Sequence, residues 1–246
     1  MLTVSPLGTE PLWGHKVVLE RSNPTHASFL LQCYQDSAFM DLYRLAQKRS
    51  ETLAQIKKRL EEEQAFQLRQ LKRIEWVIHQ YKVENEQLQK SPIGLISLAD
   101  YKPTYLQAEF LIGILNTDKR CTGLALEASL LVLDFAFNQL RLHRLTAYVY
   151  GYNHNAQANV VELGFKQEGV LRDHVRTQKQ FVDLYANGML EQDFRENQRL
   201  ARLSKRLLGE NITLPPPEIK SFSPVYLAQV ETTLRQKVAH EKQNQH

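Results

Sequence analysis

Residues 120–128 read RCTGLALEA and join two unlike segments of the chain. The apolar run FLIGIL at 110–115 leads into a polar loop, and the apolar run LALEASLLVLDFAFNQL at 124–140 follows that loop. This order predicts a strand, a loop and a buried helix that begins beside Gly123. Glycine inside a helix is about 1 kcal/mol less favourable than alanine, so its place at this boundary requires a reason.

Gly123 has two explanations from the residues alone. The first is a strand–helix turn that needs the conformational freedom of glycine. The second is a seat for a phosphate, because the N-terminus of a helix presents unpaired N–H groups and a partial positive charge, to which Arg120 would add a formal charge. The loop matches neither the Walker pattern, since no Gly-Lys-Ser/Thr follows, nor the GxGxxG pattern.

Length and composition predict a globular chain with either one large domain or one domain with appendages. The chain has 246 residues, 43% of them hydrophobic, and a formal net charge of +4, which is too small for the concentrated basic face that nucleic-acid binding requires. Cys33 and Cys121 lie far apart, and no Cys/His spacing predicts a metal site or a disulfide framework. The N-terminus has no signal-peptide pattern and no apolar run is long enough to span a membrane, so we expect a cytoplasmic protein.

The hydrophobic pattern predicts alternating helices and strands. A helix that separates two strands of one sheet requires a crossover, so the sheet is expected to be mixed. The predicted strands lie at 16–22, 73–82, 91–101, 107–116 and 143–153, with two more within 165–190. The predicted helices lie at 24–43, 50–72, 124–140, 155–164, 191–209 and 225–238.

Two helical segments stand apart from this pattern. The charged segment 50–72 is predicted to be an amphipathic helix on the domain surface, with a coiled-coil or partner helix as the alternative. The segment 191–246 is predicted to be a helical C-terminal extension with a Pro-rich break at 214–224, following a first domain at 1–190.

The loop and its surroundings resemble a known family. Arg120-Cys-Thr-Gly123-Leu-Ala125 is similar to the R/Q-x-x-G-x-G/A motif of the GNAT superfamily, the acetyl-CoA-dependent N-acetyltransferases. Leu126-Glu127-Ala128 resembles the TEA that continues this motif in the Rim-type branch, which includes the ribosomal-protein N-terminal acetyltransferases. The resemblance covers about residues 12–190. Its other parts, in order, are LWGHKVVLERSNPTHASFL at 12–30, DFAFNQLRLHRL at 134–145, Asn153, Leu163-Gly164-Phe165, EGVLR at 168–172 and Asp183.

This resemblance implies an α/β fold of the GNAT type, with a mixed, mostly antiparallel sheet and flanking helices, and acetyl-CoA as acyl donor. Backbone N–H groups of the loop would hold the pyrophosphate, and the preceding strand would pair with the pantetheine amides as an added strand does. In this family two strands splay apart at a bulge, and the thioester lies in the gap. The residues implied to contact the cofactor are Arg120, Cys121, Thr122, Gly123, Leu124 and Ala125 in the loop, Gly113, Ile114 and Leu115 on the strand, and Asn153.

The same resemblance points to catalytic candidates. Glu109 occupies a strand position where this branch often has an acid, and is predicted to be the general base. The serine that often serves as proton donor is replaced by Ala156, so His154 and Tyr152 are the substitute candidates, with Tyr150 nearby. A second departure is Asn187, where the family often has a tyrosine.

The predicted reaction is acetyl transfer from acetyl-CoA to a primary amine, either a protein N-terminus or a small amine such as an amino sugar or polyamine. An α-amine is closer to its neutral form at pH 7 than a lysine-like amine, so it requires less from a general base. The alternative is a non-catalytic binding or assembly protein that keeps the fold and uses its extra helices for partner contacts. A homodimer contact through those helices is also expected.

Overall fold

The computed structural model describes residues 10–44, 51–84, 87–119, 122–177 and 180–216. The chain divides into two compact units, Met1–Leu214 and Pro215–His246, of which the second is described only at its first two residues. The account below therefore concerns the first unit. The helix predicted at 225–238 and most of the Pro-rich break lie outside the described residues.

A mixed sheet forms the centre of this unit. Its eight described strands follow the order β1-β2-β3-β4-β5-β6-β8-β7, and only β5 and β6 are parallel. The α/β fold class and the mixed, mostly antiparallel sheet are thereby confirmed. The strands are β1 (Leu12–Trp13), β2 (Val17–Arg21), β3 (Ile74–Glu84), β4 (Gln87–Lys102), β5 (Gln107–Ile114), β6 (Arg144–Tyr150), β7 (Lys166–Arg176) and β8 (Phe181–Leu190).

Helices cover both faces of the sheet, which explains why the central strands are apolar at consecutive positions. One face packs against α1, α2 and α3 through Leu30, Phe39 and Ile56. The other packs against α4 and the later helices around Trp76 and Phe135. The helices are α1 (Ala27–Gln35), α2 (Ser37–Tyr43), α3 (Leu53–Ala65), α4 (Leu124–Asp134), α5 (His154–Glu162), α6 (Glu191–Glu196) and α7 (Gln198–Leu208).

Capping side chains divide two of the predicted helices. Asp36 accepts a hydrogen bond from the Phe39 N–H at 2.7 Å and so begins α2 directly after α1. Asn197 caps α7 in the same way and separates it from α6. The segment 50–72 forms an amphipathic helix only to Ala65, and it buries Ile56 and Leu60 against its own domain.

The helices after β8 share the core of the sheet. Phe194 of α6 stacks on Phe137 with ring centroids 4.6 Å apart, and Leu200 of α7 is fully buried. Residues 191–214 thus lie in the compact unit that contains the sheet. The division of the chain into 1–190 and 191–246 stays a prediction. The described helices are all too short or too polar to cross a bilayer.

Candidate active site

The sheet opens between β5 and β6. These strands pair in parallel only from Gln107 to Glu109, opposite Arg144 to Thr146. Beyond that point β5 stays hydrogen-bonded to β4 as far as Ile114, while β6 stays paired with β8 as far as Tyr150. The two strands therefore part within a continuous sheet and leave a gap that an extended ligand can enter as an added strand.

The backbone of β5 alternates between β4 and this gap. The Leu115 N–H donates to the Ile93 carbonyl at 2.9 Å, and the Gly113 carbonyl faces Gly94 of β4. In an antiparallel ladder the alternate residues turn the other way, which directs the backbone of Ile112 and Ile114 towards the β6 side. Among the predicted strand contacts, Ile114 thus faces the gap, whereas Gly113 and the Leu115 N–H face β4.

Gly113 has a packing reason to be glycine. A Cβ at this position would lie 2.7 Å from Cε2 of Phe39 and 2.9 Å from Cδ2 of Tyr43. These two rings stack on each other at a centroid distance of 5.1 Å and cover β5 from α2. Any larger residue at 113 would displace α2 from the strand.

Gly123 stands at the N-terminus of α4 in the left-handed conformation, with φ +82°. A Cβ there would meet no described atom within 4 Å, so the described residues leave space beside the start of the helix. Thr122 closes the preceding turn by donating its hydroxyl to the Lys119 carbonyl at 2.6 Å. Leu124 and Ala125 form the first turn of α4, whose N–H groups point at this space. Arg120 and Cys121 lie outside the described residues.

Glu127 connects the first turns of α4 to the chain just before β2 and to its first residue. Its side chain is buried, and Oε1 accepts hydrogen bonds from the Lys16 N–H at 2.8 Å and from the Val17 N–H at 3.4 Å. Gly14 is required beside it, because a Cβ there would overlap this carboxylate. The glutamate of the LEA triplet thus ties the start of α4 to the start of β2.

Glu109 lies at the point where β5 and β6 part. Its side chain is 12% exposed, and Oε2 lies 3.4 Å from Nη2 of Arg44. The pKa of this carboxyl is raised to about 7, chiefly by burial and also by the nearby Asp100 carboxylate, against the lowering effect of Arg44. A carboxylate with a pKa near neutrality is suited to accept and release a proton at physiological pH.

The substitute proton donors lie beyond the end of β6. The Tyr152 ring stacks on Tyr150 with centroids 5.7 Å apart, and its hydroxyl donates to the Asp41 carbonyl. Burial raises the pKa of Tyr152 to about 12. His154 is exposed at the first turn of α5.

Asn153 is the N-cap of α5. Its Oδ1 accepts a hydrogen bond from the Ala156 N–H at 3.2 Å. This contact uses the side-chain oxygen and leaves the Nδ2 amide as the group that can donate to a ligand. Asn187, in contrast, is fully buried and ties strands to a helix: its Nδ2 donates to the Ala147 carbonyl at 3.0 Å and its Oδ1 accepts from Gln157 at 2.8 Å.

Two residues beside Glu109 were missed from the sequence. Asp100 sits at a β-bulge of β4 with φ +45°, and Arg44 follows the last turn of α2. Nη2 of Arg44 lies 3.1 Å from Oδ2 of Asp100 as well as 3.4 Å from Glu109. A sequence signal existed only for Asp100, since aspartate tolerates left-handed backbone and often stands at irregular strand positions.

A second cluster of titratable groups lies elsewhere on the sheet. The side-chain polar atoms of Glu20, His26 and His79 lie within 4.8 Å of one another, which is a spacing found in metal sites. No metal site was predicted from the sequence. Nε2 of His26 lies 3.3 Å from Oε2 of Glu20, and Lys90 forms an ion pair with the same carboxylate. Burial lowers the pKa of both histidines.

A mixed sheet that parts between two parallel strands, with a glycine-led helix after the first of them, is the architecture of a GNAT acetyltransferase domain. A family model described as "Acetyltransferase (GNAT) domain" matches residues 16–166. The chain belongs to this family. The match identifies the family and does not distinguish the Rim-type branch from other branches.

The similar proteins are described as acetyltransferases. The probable N-acetyltransferase YjcK of Bacillus subtilis is 32% identical over 101 residues, which cover 41% of this chain and 56% of that protein. The chain thus spans about half the length of this curated relative. Among solved structures, spermidine N-acetyltransferase from Vibrio cholerae, in complex with CoA and spermine, matches with a TM-score of 0.62 and 20% identity over 72% of this chain and 97% of that one. A putative acetyltransferase from T. thermophilus matches with a TM-score of 0.58 and 25% identity, over 80% and 96% of the two chains.

Proposed function

We propose that this protein transfers the acetyl group of acetyl-CoA to a primary amine. The observation that carries this proposal is the position of Glu109: a largely buried carboxylate, with its pKa raised to about 7, at the point where β5 and β6 part. Family membership supplies the class of reaction, and the space that the described residues leave beside Gly123 is where an anion would bind.

The cofactor would bind mainly through backbone groups. The N–H groups of residues 121–125, from Cys121 to Ala125, would hold the pyrophosphate at the N-terminus of α4, with Arg120 adding charge. The backbone of β5 that faces the gap would pair with the pantetheine amides. The Nδ2 group of Asn153 would donate to the pantetheine arm, because its oxygen already caps α5.

Glu109 would act as the general base. An aliphatic ammonium with a pKa of about 10.4 must lose a proton before its nitrogen can attack, and a positioned base contributes about 10²–10⁴-fold to such a step. Glu109 takes this proton, the neutral nitrogen forms a bond to the thioester carbonyl carbon, the carbon–sulfur bond breaks, and the second proton that the nitrogen loses passes to solvent. Burial of the carboxylate strengthens its interaction with the cationic amine.

The departing thiolate would take its proton from His154 or from solvent rather than from Tyr152. A thiol has a pKa of about 8.5, so proton transfer from a tyrosine with a pKa of about 12 is uphill by several kcal/mol. The tyrosine hydroxyl is also engaged with the Asp41 carbonyl. Ala156 therefore requires no replacement donor on the protein, because a thiolate whose conjugate acid has a pKa of about 8.5 can depart unprotonated and take its proton afterwards from the buffered solvent.

The acceptor would be a protein N-terminus or a small amine such as an amino sugar or polyamine. Assignment to the Rim-type branch is supported by the motif order around Gly123 and favours the first. The polyamine complex of the Vibrio cholerae enzyme makes spermidine a reasonable member of any test panel. A cytoplasmic location and a homodimer contact through the added helices are the corresponding proposals for the whole protein.

The test is release of free thiol from acetyl-CoA in the presence of spermidine, glucosamine or a short peptide with a free N-terminus. Thiol release that depends on the amine supports the proposal. Calorimetric binding of coenzyme A without thiol release on any of the three amines would favour the non-catalytic binding protein instead. When Glu109→Gln is assayed in the same way, Glu62→Gln serves as its matched control, because Glu62 is an exposed carboxylate on α3 paired with Lys58.

A further inference from the structure

Glu109 is held by two charged residues from different elements. Arg44 follows α2, Asp100 lies on β4, and one guanidinium nitrogen, Nη2 of Arg44, bridges the two carboxylates at 3.1 Å and 3.4 Å. The Arg44 side chain is 17% exposed and that of Glu109 is 12% exposed, whereas Asp100 is 65% exposed. Arg44 and Glu109 are thus shielded from solvent by the protein, whereas Asp100 is in contact with solvent.

The backbone of β4 is distorted to place Asp100 there. Ala99 pairs with Glu109 and Lys102 pairs with Gln107, so Asp100 and Tyr101 stand against Ala108 alone. This β-bulge puts Asp100 at φ +45°, a conformation that non-glycine residues seldom adopt. Bulges redirect side chains beside functional sites, and this one brings a second carboxylate next to the first.

We propose that Asp100 and Arg44 are positioning residues for Glu109: Arg44 fixes the orientation of its carboxylate, and Asp100, placed by the β-bulge, sets the balance of charge around it. This inference rests on the proposed function for its catalytic meaning. The arrangement itself is a property of the folded chain and can be tested without any acceptor.

The charged groups that face Glu109 are few and have separable effects. Asp100 raises the pKa of Glu109, and Arg44 and Arg73 lower it. Arg73 is itself engaged, since it forms an ion pair with Glu75 and donates from Nη2 to the Tyr43 hydroxyl at 3.2 Å. Removal of Asp100 and removal of Arg44 should therefore change the basicity of Glu109 in opposite directions, which a purely structural role would not do.

The first experiment is a carbon-13 NMR titration of the full chain labelled at the glutamate side-chain carboxyl, with Glu109→Gln used to assign the Glu109 signal. We expect Asp100→Asn to lower the titration midpoint by about half a unit to one unit and Arg44→Met to raise it by about one unit. Asparagine also tolerates the left-handed backbone, so Asp100→Asn tests charge rather than fold. Arg44→Lys should restore the midpoint, and Glu62→Gln should leave it unchanged.

The second experiment measures thiol release against pH with one amine from the panel. The acid limb of the profile should move in the same direction as the NMR midpoint in each variant. An unmoved midpoint in Asp100→Asn and Arg44→Met would overturn this inference even if the wild-type chain releases thiol. Midpoints that move as expected in a chain that releases no thiol would instead count against the proposed function. If Arg44→Met does not fold, the midpoint of Asp100→Asn decides the matter by itself: a lowered midpoint supports the inference and an unmoved one overturns it.

Discussion

Gly123 and Gly209 have almost the same backbone conformation, with φ +82° at the start of α4 and φ +81° at the end of α7. A Cβ at either position would meet no described atom within 4 Å. A substitution at either glycine therefore puts a side chain into the same left-handed backbone conformation. The two positions differ in their surroundings. Only Gly123 precedes the N-terminal N–H groups of a helix beside the β5–β6 gap.

This relationship gives a matched test of the cofactor loop. We expect Gly123→Trp and Gly209→Trp to lower the thermal unfolding midpoint by similar, small amounts, since both place a side chain in left-handed backbone. Only Gly123→Trp should abolish coenzyme A binding in calorimetry, because its indole would fill the space before α4. Equal coenzyme A binding by the two variants would show that the phosphates lie elsewhere.

Glu109→Gln should stabilise the folded chain at alkaline pH. The pKa of Glu109 is raised from 4.5 in the unfolded chain to about 7 in the folded chain, so its ionisation destabilises the fold as pH rises through this interval. Removal of the charge should therefore increase the free energy of unfolding by on the order of 3 kcal/mol above pH 7 and change it little below pH 4.5. Urea unfolding at pH 4.5, 6 and 8 measures this, and a constant difference across the three values would contradict the buried-carboxylate account.

The histidine cluster predicts the opposite dependence. Burial holds the pKa of His26 and of His79 below the unfolded value of 6.5, although Glu20 acts to raise both. The unfolded chain therefore binds protons first, and stability should fall as pH drops below about 6.5. His79→Gln should flatten this loss between pH 6.5 and 5, whereas His154→Gln, at an exposed position, should leave it unchanged. The prediction is wrong if the two variants give the same slope of unfolding free energy against pH.

Glu127 should matter for stability through its hydrogen bonds. Glu127→Ala removes the side-chain acceptor of the partly buried Lys16 N–H and of the buried Val17 N–H, which costs about 1–3 kcal/mol. Glu127→Gln keeps one side-chain oxygen at the same place and should recover most of this loss. Thermal unfolding of the two variants checks the account, and equal destabilisation would show that the carboxylate charge matters more than the hydrogen bond.

Several features of the fold could be predicted because they depend on local pattern. Alternating apolar residues located the strands, and an apolar run directly after a polar loop with Gly123 located α4. Helix breaks at Asp36 and Asn197 were missed, although both residues are good N-caps. Strand β4 begins at Gln87, earlier than predicted, because cross-strand pairs such as Val83 with Leu88 extend the hairpin in a polar stretch.

The same distinction between local pattern and tertiary contact applies to the residues of the site. Glu109 and Gly123 could be singled out because the motif fixes their places relative to the strand and the helix. Arg44 could not, because only the packing of α2 over β5 brings it to Glu109. Asp100 depends on a bulge that pairing of β4 with β5 creates, and Gly113 owes its small size to Phe39 and Tyr43 from another helix. Such contacts are tertiary and leave no spacing in the sequence.

The central claim is amine acetylation with Glu109 as base, and the most direct measurement follows both products of one reaction. The wild-type chain is incubated with acetyl-CoA and each amine of the panel, and free thiol is quantified beside the acetylated amine by mass spectrometry. We expect equal amounts of the two products with at least one amine, and a rate about 10²–10⁴-fold lower in Glu109→Gln with coenzyme A binding unchanged. No acetylated product with any amine, or equal rates in the wild-type chain and Glu109→Gln, would contradict the account.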